Sequence, residues 1–299
     1  MRFGGERGCL VRINGIKIMP PPWLAYPHIE RGSIGWRMGY GEQYICRFCD
    51  WLNRLSQEER AEYQNLFPEP VTWSGWWEHE NSGVALRQGG LCLLLWRPQG
   101  APKYTGTWLT QEAAEGRRYD MCLFWKHHPA GDGKITESCL SQWWMQEFCY
   151  SVTKYCCMEQ FMMEQKAKLF EDEETRKQIM DSRKPHEIKE LGRKIRGFDR
   201  ELWDAAKYSI VLNGNWRKFS QNRELRDFLL STGDSILAEA SPYDGIWGIG
   251  LDASDPDACN PFKWQGANLL GFALMEVRDE LRRVTHNEEL CDRSFLLET

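Results

Sequence analysis

A chain of 299 residues, 42% hydrophobic and 27% charged, has the composition of a globular protein with one large domain or two ordinary ones. Its longest apolar run, Leu91 to Trp96, is far too short for a membrane span, and a net charge of −5 argues against an unspecific grip on a nucleic-acid backbone. Eleven irregularly spaced cysteines suit reduced thiols, and Met1-Arg2-Phe3-Gly4-Gly5 opens without an apolar leader, so a cytoplasmic protein is expected.

Up to about residue 110 the chain is punctuated by Trp, Gly and Pro, as in Pro20-Pro21-Pro22-Trp23 and Trp73-Ser74-Gly75-Trp76-Trp77, which favours turns and short strands. Between Tyr40 and Leu66, Tyr44, Phe48, Trp51, Leu52 and Leu55 fall at helical spacing, and Ser56 can cap a following turn. The aromatic residues are expected to fill a core rather than stack on a ligand. Cys46 and Cys49 form a lone CxxC with no second pair downstream and an isolated His79, so no metal site is expected.

Val84-Ala85-Leu86 and Leu91 to Trp96 resemble strands, whereas Ala101 to Tyr119 lacks apolar periodicity and reads as a linker or an edge loop. Helices are predicted from Met158 to Phe170, from Glu173 to Met180, from Pro185 through Ile195, and from Arg200 to Leu212 after an Asp199 cap. Asn222 is placed to cap Arg223 to Leu230, Gly233 to stop it, and Ile236 to Ala240 to form a strand. Ala267 to Arg283 closes the series as an amphipathic helix. The fold class is α+β: a smaller Trp-, Gly- and Pro-rich α+β domain over residues 1–115, a mainly helical domain with a few short strands over 116–285, and a tail over 286–299.

Two places carry chemistry. On the Met158 helix, Glu159, Met163, Lys166 and Phe170 form a second stripe, so a carboxylate and an amine share one flank roughly 10 Å apart along the axis. That pair could hold a small sugar between them or be solvated surface charge. The run Ser241-Pro242-Tyr243-Asp244-Gly245-Ile246-Trp247-Gly248-Ile249-Gly250 follows a predicted strand, and its glycines allow close approach to a ligand. Asp244 and Trp247 there can hold a ribose hydroxyl and stack a base, or pack a turn.

In combination with Leu191-Gly192-Arg193, Lys218 to Asn222, Leu229 to Asp234 and Asn268-Leu269-Leu270-Gly271, these segments resemble the NADAR family in order and content. Phe124-Trp125-Lys126 and Ser138 to Trp143 resemble its opening, which extends the likeness from about Phe124 to Arg283. The chain departs from the family at Gln160, where many members carry His, and at Cys156-Cys157, where Pro-Ser or Pro-Thr is common.

The resemblance implies an N-glycosidase acting on an ADP-ribosylated base, such as ADP-ribosyl-guanine, with no cofactor and no metal. The alternatives are ribosylamine phosphates of the riboflavin pathway as substrates, and a non-catalytic sensor of ADP-ribose or NAD-derived nucleotides in phage defence. ADP-ribosylated nucleic acid is a further partner it suggests, while a partner for the N-terminal domain stays unassigned. Glu159, Lys166 and Asp244 would be catalytic: the carboxylates would stabilise the anomeric cation, activate water or protonate the base. Lys166 would either form an imine with the sugar or pair with phosphate. Phe124, Trp125, Ser141, Gln142, Trp143 and Met163 would contact substrate, as would Arg193, Ser241, Tyr243, Trp247, Gly248 and Asn268. The acidic stretch from Asp252 to Gln265 reads as a surface loop.

Overall fold

The computed structural model describes residues 12–13, 16–79, 83–97, 100–128, 131 and 133–296, so Met1 to Gly5 lie outside the described residues. The chain divides into two compact units, one of residues 1–83 with 282–299 and the other of residues 84–281.

In the first unit, β1 (Arg12–Ile13) and β2 (Ile16–Lys17) pair antiparallel ahead of α1 (Pro22–Ala25), α2 (Gly39–Asn53) and α3 (Gln57–Leu66). The helix α3 starts at Ser56, whose Oγ accepts the Glu59 N–H at 3.2 Å while the Glu59 carboxylate accepts the Ser56 N–H at 2.7 Å. That reciprocal cap separates it from α2. Tyr44, Phe48 and Trp51 turn inward to meet Trp23, Tyr63 and Trp73, with the Trp51 and Tyr63 rings 4.9 Å apart. These aromatic side chains fill a core. Cys46 and Cys49 are exposed, and among the described residues no group of three His, Cys, Asp or Glu could hold a metal ion.

Two expectations about domain limits need correction. Cys291 is buried in the first unit's core, Asp292 pairs with Lys17 at 2.7 Å, and Asn287 Nδ2 donates to the Leu66 carbonyl at 2.9 Å. Residues 286–296 therefore belong to that unit and are not a tail. The hairpin of β3 (Ala85–Gln88) and β4 (Leu91–Leu94) belongs to the second unit instead of the first. There the Gly90 N–H donates to the Lys168 carbonyl at 3.0 Å and Asn213 Nδ2 to the Leu94 carbonyl at 2.8 Å.

The second unit continues with α4 (Gly106–Ala114), β5 (Met121–Phe124), β6 (Phe148–Tyr150), β7 (Thr153–Tyr155) and α5 (Met158–Leu169). Then come α6 (Glu173–Asp181), α7 (Pro185–Arg193), α8 (Arg200–Gln221), α9 (Arg223–Ser231), β8 (Ile236–Glu239) and α10 (Leu269–Thr285), which leaves this unit after Leu281. The helix α4 occupies the expected linker, held by Thr105 Oγ1 accepting the Trp108 N–H at 3.0 Å. With Leu109 its one buried apolar residue, it leaves no periodic signal.

The helix α8 runs nine residues past its expected end at Leu212 because Asn213-Gly214-Asn215, polar in sequence, is wholly inside. A Cβ at Gly214 would fall 2.6 Å from the Met158 and Phe161 side chains, so glycine lets α5 and α8 touch. Asn222 precedes α9 without capping it; its Oδ1 accepts from Gln146 Nε2 at 2.6 Å. Gln160 ties the start of α5 to the end of α6: its Oε1 accepts the Cys156 N–H at 2.8 Å, and Nε2 donates to the Ser182 carbonyl at 2.8 Å.

Among the described residues no helix is long and apolar enough to cross a membrane. One fully buried cation fixes the approach to the site. Lys218 Nζ donates to the carbonyls of Cys139 at 2.6 Å and Ser141 at 2.9 Å, and burial pulls its amine down to about 8. Lys218→Ala strands both carbonyls in the core and is expected to cost about 3 kcal/mol in urea denaturation. An unchanged midpoint would show that water replaces the amine.

Candidate active site

β5 and β8 run parallel, with Phe124 opposite Glu239 at their ends. Parallel strands leave a crevice beyond their carboxyl ends, and two loops emerge there: residues 125–128 and 241–247. The second loop is held from within, because Asp244 Oδ1 accepts the N–H groups of Ile246 at 3.0 Å and Trp247 at 2.8 Å. Gly248 sits so close to the strand that a Cβ would be 2.7 Å from the Glu239 carbonyl. Asn268, with a left-handed φ of 51°, accepts the Glu239 N–H at 3.1 Å and donates to the Leu237 carbonyl at 2.9 Å. Loop and strand are thereby one rigid support for Glu239 and Asp244.

Facing this support are the face of α5 from Glu159 to Lys166, the C-terminal end of α7 and Trp203 of α8. Between them lies a cavity of about 210 Å³ that takes in Glu159, Lys166, Asp244, Gln142, Met163, Arg193 and Trp247. A second lobe of about 320 Å³ is walled by Trp125, Lys126, His127, His128, Ser241 and Tyr243. Ser141, Trp143, Lys189, Glu239 and Asp244 line both lobes.

Glu159 is 3% exposed, and burial raises its carboxyl to about 7, helped by the Asp244 charge. Lys189, a hydrogen bond from Trp143 and Arg193 work against that rise. Lys166 is lowered by burial, with the Glu159 charge opposing. Its Nζ donates to the Gly192 carbonyl at 2.8 Å and lies 4.5 Å from the Phe198 ring centre and 5.4 Å from that of Trp203. In the second lobe, rings converge: Trp125 with Tyr243 at 6.2 Å and His127 with Trp143 at 5.3 Å, while Lys189 Nζ stands 5.6 Å from Trp143.

Residues 123–282, just over half of the chain, match the NADAR domain. The chain belongs to the NADAR family. N-glycosidase R617 of Acanthamoeba polyphaga mimivirus is 42% identical over 158 residues, which is 51% of this chain and 93% of the relative. Protein irg-1 of Caenorhabditis elegans is 36% identical over 163 residues, covering 54% and 76% of the two chains. N-glycosidase Npun_R5314 of Nostoc punctiforme is 36% identical over 100 residues, covering 33% and 57%.

Three residues that the NADAR resemblance placed against substrate stand elsewhere. Phe124 is 1% exposed, Asn268 is wholly buried, and Gly248 packs behind the loop; none of them lines either lobe. Asn268 hydrogen-bonds to β8, and Gly248 packs against the Glu239 carbonyl. The acidic stretch after Leu251 also stays outside both lobes, folding on itself where Trp264 Nε1 donates to the Ala258 carbonyl at 2.8 Å.

Conversely, Lys189, Trp203, His127 and Glu239 line the cavity although sequence reasoning singled out none of them. The signal for Lys189 was present, since it lies three residues before Gly192 and so shares a helix face with it. No local signal marks Glu239, which ends an apolar strand.

Proposed function

We propose that this N-glycosyl hydrolase acts on an ADP-ribosylated base, with ADP-ribosyl-guanine the representative substrate. The observation that carries the reading is a pair of adjacent lobes that share a wall of five residues, one holding Glu159 and Lys166 and the other lined by aromatic rings. An ADP-ribosyl base has two aromatic ends joined through a diphosphate, and so asks for a reaction lobe and a stacking lobe together. A ribosylamine phosphate of the riboflavin pathway would occupy the first lobe alone.

Cleavage breaks the bond between the anomeric carbon and a base nitrogen. The bonding pair leaves with nitrogen, and positive charge develops on the sugar. Glu159, itself buried in the cavity wall, stabilises that charge at short range and accepts a proton from the attacking group. Lys189 and the exposed Arg193 supply cations at the cavity wall for the diphosphate.

The test compares release of guanosine from ADP-ribosyl-guanosine with release of the pyrimidine from the riboflavin-pathway ribosylamine phosphates. The expected result is a kcat/KM at least tenfold higher for the ADP-ribosyl substrate. Trp125→Ala should raise KM for that substrate about tenfold, the worth of one lost stacking contact, and leave the smaller one unaffected. Preference for the pyrimidine compounds would reverse the assignment, and tight ADP-ribose binding without any release would make the protein a sensor.

A further inference from the structure

A half-buried carboxyl on the wall shared by the lobes, that of Glu239, has no part in the roles given to Glu159, Lys166 and Asp244. Glu239 ends β8, and its backbone is fixed from two sides, by pairing with β5 and by the Asn268 side chain. It lines both lobes, so it stands where a substrate would pass from one to the other. Its Oε2 is enclosed, and among the described residues it has no hydrogen-bond partner. An ionised oxygen in that position would forgo both water and a donor, whereas a protonated carboxyl tolerates it.

The groups that face Glu239 come from each surrounding element. Asp244 follows on its own chain, Glu159 projects from α5, and Lys189 from α7; Lys126, His127 and His128 close the second lobe. We propose that Glu239 is the acid that protonates the departing base nitrogen. The reading rests on N-glycosidic cleavage in this cavity. As the bond between the anomeric carbon and nitrogen breaks, the pair stays on nitrogen and the Glu239 carboxyl proton moves to it. Glu239 is left as a carboxylate and takes a proton back from solvent, while Glu159 returns to solvent the one it accepted from the attacking water.

Electrostatics agree with this division. Burial raises Glu239 to about 8, the Asp244 and Glu159 charges add to it, and Lys189 opposes. His127, a rival donor in the second lobe, has its proton affinity lowered by burial and by His128. Both carboxyls are raised by burial, so each can exchange a proton near neutral pH, as an acid and a base partner must.

The experiment is the pH profile of kcat/KM for ADP-ribosyl-guanosine in the whole protein and in Glu239→Gln, with ADP-ribose affinity by calorimetry as a check on the fold. The wild type should lose activity above about pH 8 as the acid ionises. Glu239→Gln should fall about 10²- to 10⁴-fold near neutral pH, keep ADP-ribose affinity and lack the alkaline limb. His127→Gln should keep that limb. A wild type without an alkaline limb, or a variant that keeps the limb or the full rate, overturns the role of Glu239 alone. A wild type that binds ADP-ribose but cleaves nothing overturns the enzymatic reading beneath it.

Discussion

Glu159→Gln is expected to abolish base release and, at the same time, to make the protein more stable above pH 7. Burial raises the folded-state carboxyl from its ordinary 4.5 to about 7, so between those values the folded protein holds a proton that the unfolded chain has released. Stability therefore falls as pH rises through that window, and the full cost is present above it. A rise of this size corresponds to about 3 kcal/mol, and Gln fills the same space without a charge to desolvate. Urea denaturation at pH 8.5 should show the variant more stable by on the order of 2–3 kcal/mol, while at pH 4, where the wild-type carboxyl is protonated in both states, the two should coincide. Equal stability at both pH values would mean that water reaches Glu159 and the carboxylate is not confined. Full turnover would remove it from the chemistry. Loss of activity combined with gain of stability is the signature of a group kept in an unfavourable place for its reactivity.

The sequence made Glu159 and Lys166 visible because a helix maps spacing directly onto a face, and α5 keeps that order over its whole length. The loop at Asp244 was visible for a related reason: glycines and an acid in one short run report local backbone needs. What escaped depends on contacts distant in sequence. Glu239 acquires its environment from β5, paired across more than a hundred residues, and a carboxylate after Ile236-Leu237-Ala238 looks like the polar end of a strand. Phe124, Gly248 and Asn268 were set against substrate because they lie in matching segments, yet their surroundings make them supports. The predicted helix stops at Leu212, before Asn213 and Asn215, and only the packing of α8 against α5 makes those two interior. The domain limit moved for the same reason: the β3–β4 hairpin has turn residues like those before it, but its hydrogen bonds go to α5 and α8.

Lys166 should be trapped by borohydride during turnover, leaving a sugar adduct on its Nζ, and Lys166→Arg should be as inactive as Lys166→Ala. The amine lies in the same lobe as Glu159, its proton affinity is lowered by burial, and its contacts are a carbonyl and two aromatic faces. A lysine so placed gives up its proton more readily than an exposed one, and Glu159 on the same helix flank can take it. The neutral amine attacks the anomeric carbon as the base departs with the bonding pair and a proton. Opening of the ring then gives an imine, which water hydrolyses to free the sugar and restore the amine. Arginine preserves the charge and its attraction to phosphate but cannot form that imine, so the two substitutions together separate nucleophile from counter-ion. An adduct mapped to Lys166 by mass spectrometry fixes the covalent route. No adduct, with Lys166→Arg retaining a tenth or more of wild-type kcat, would assign the amine to phosphate pairing and leave the attack to water activated by Glu159.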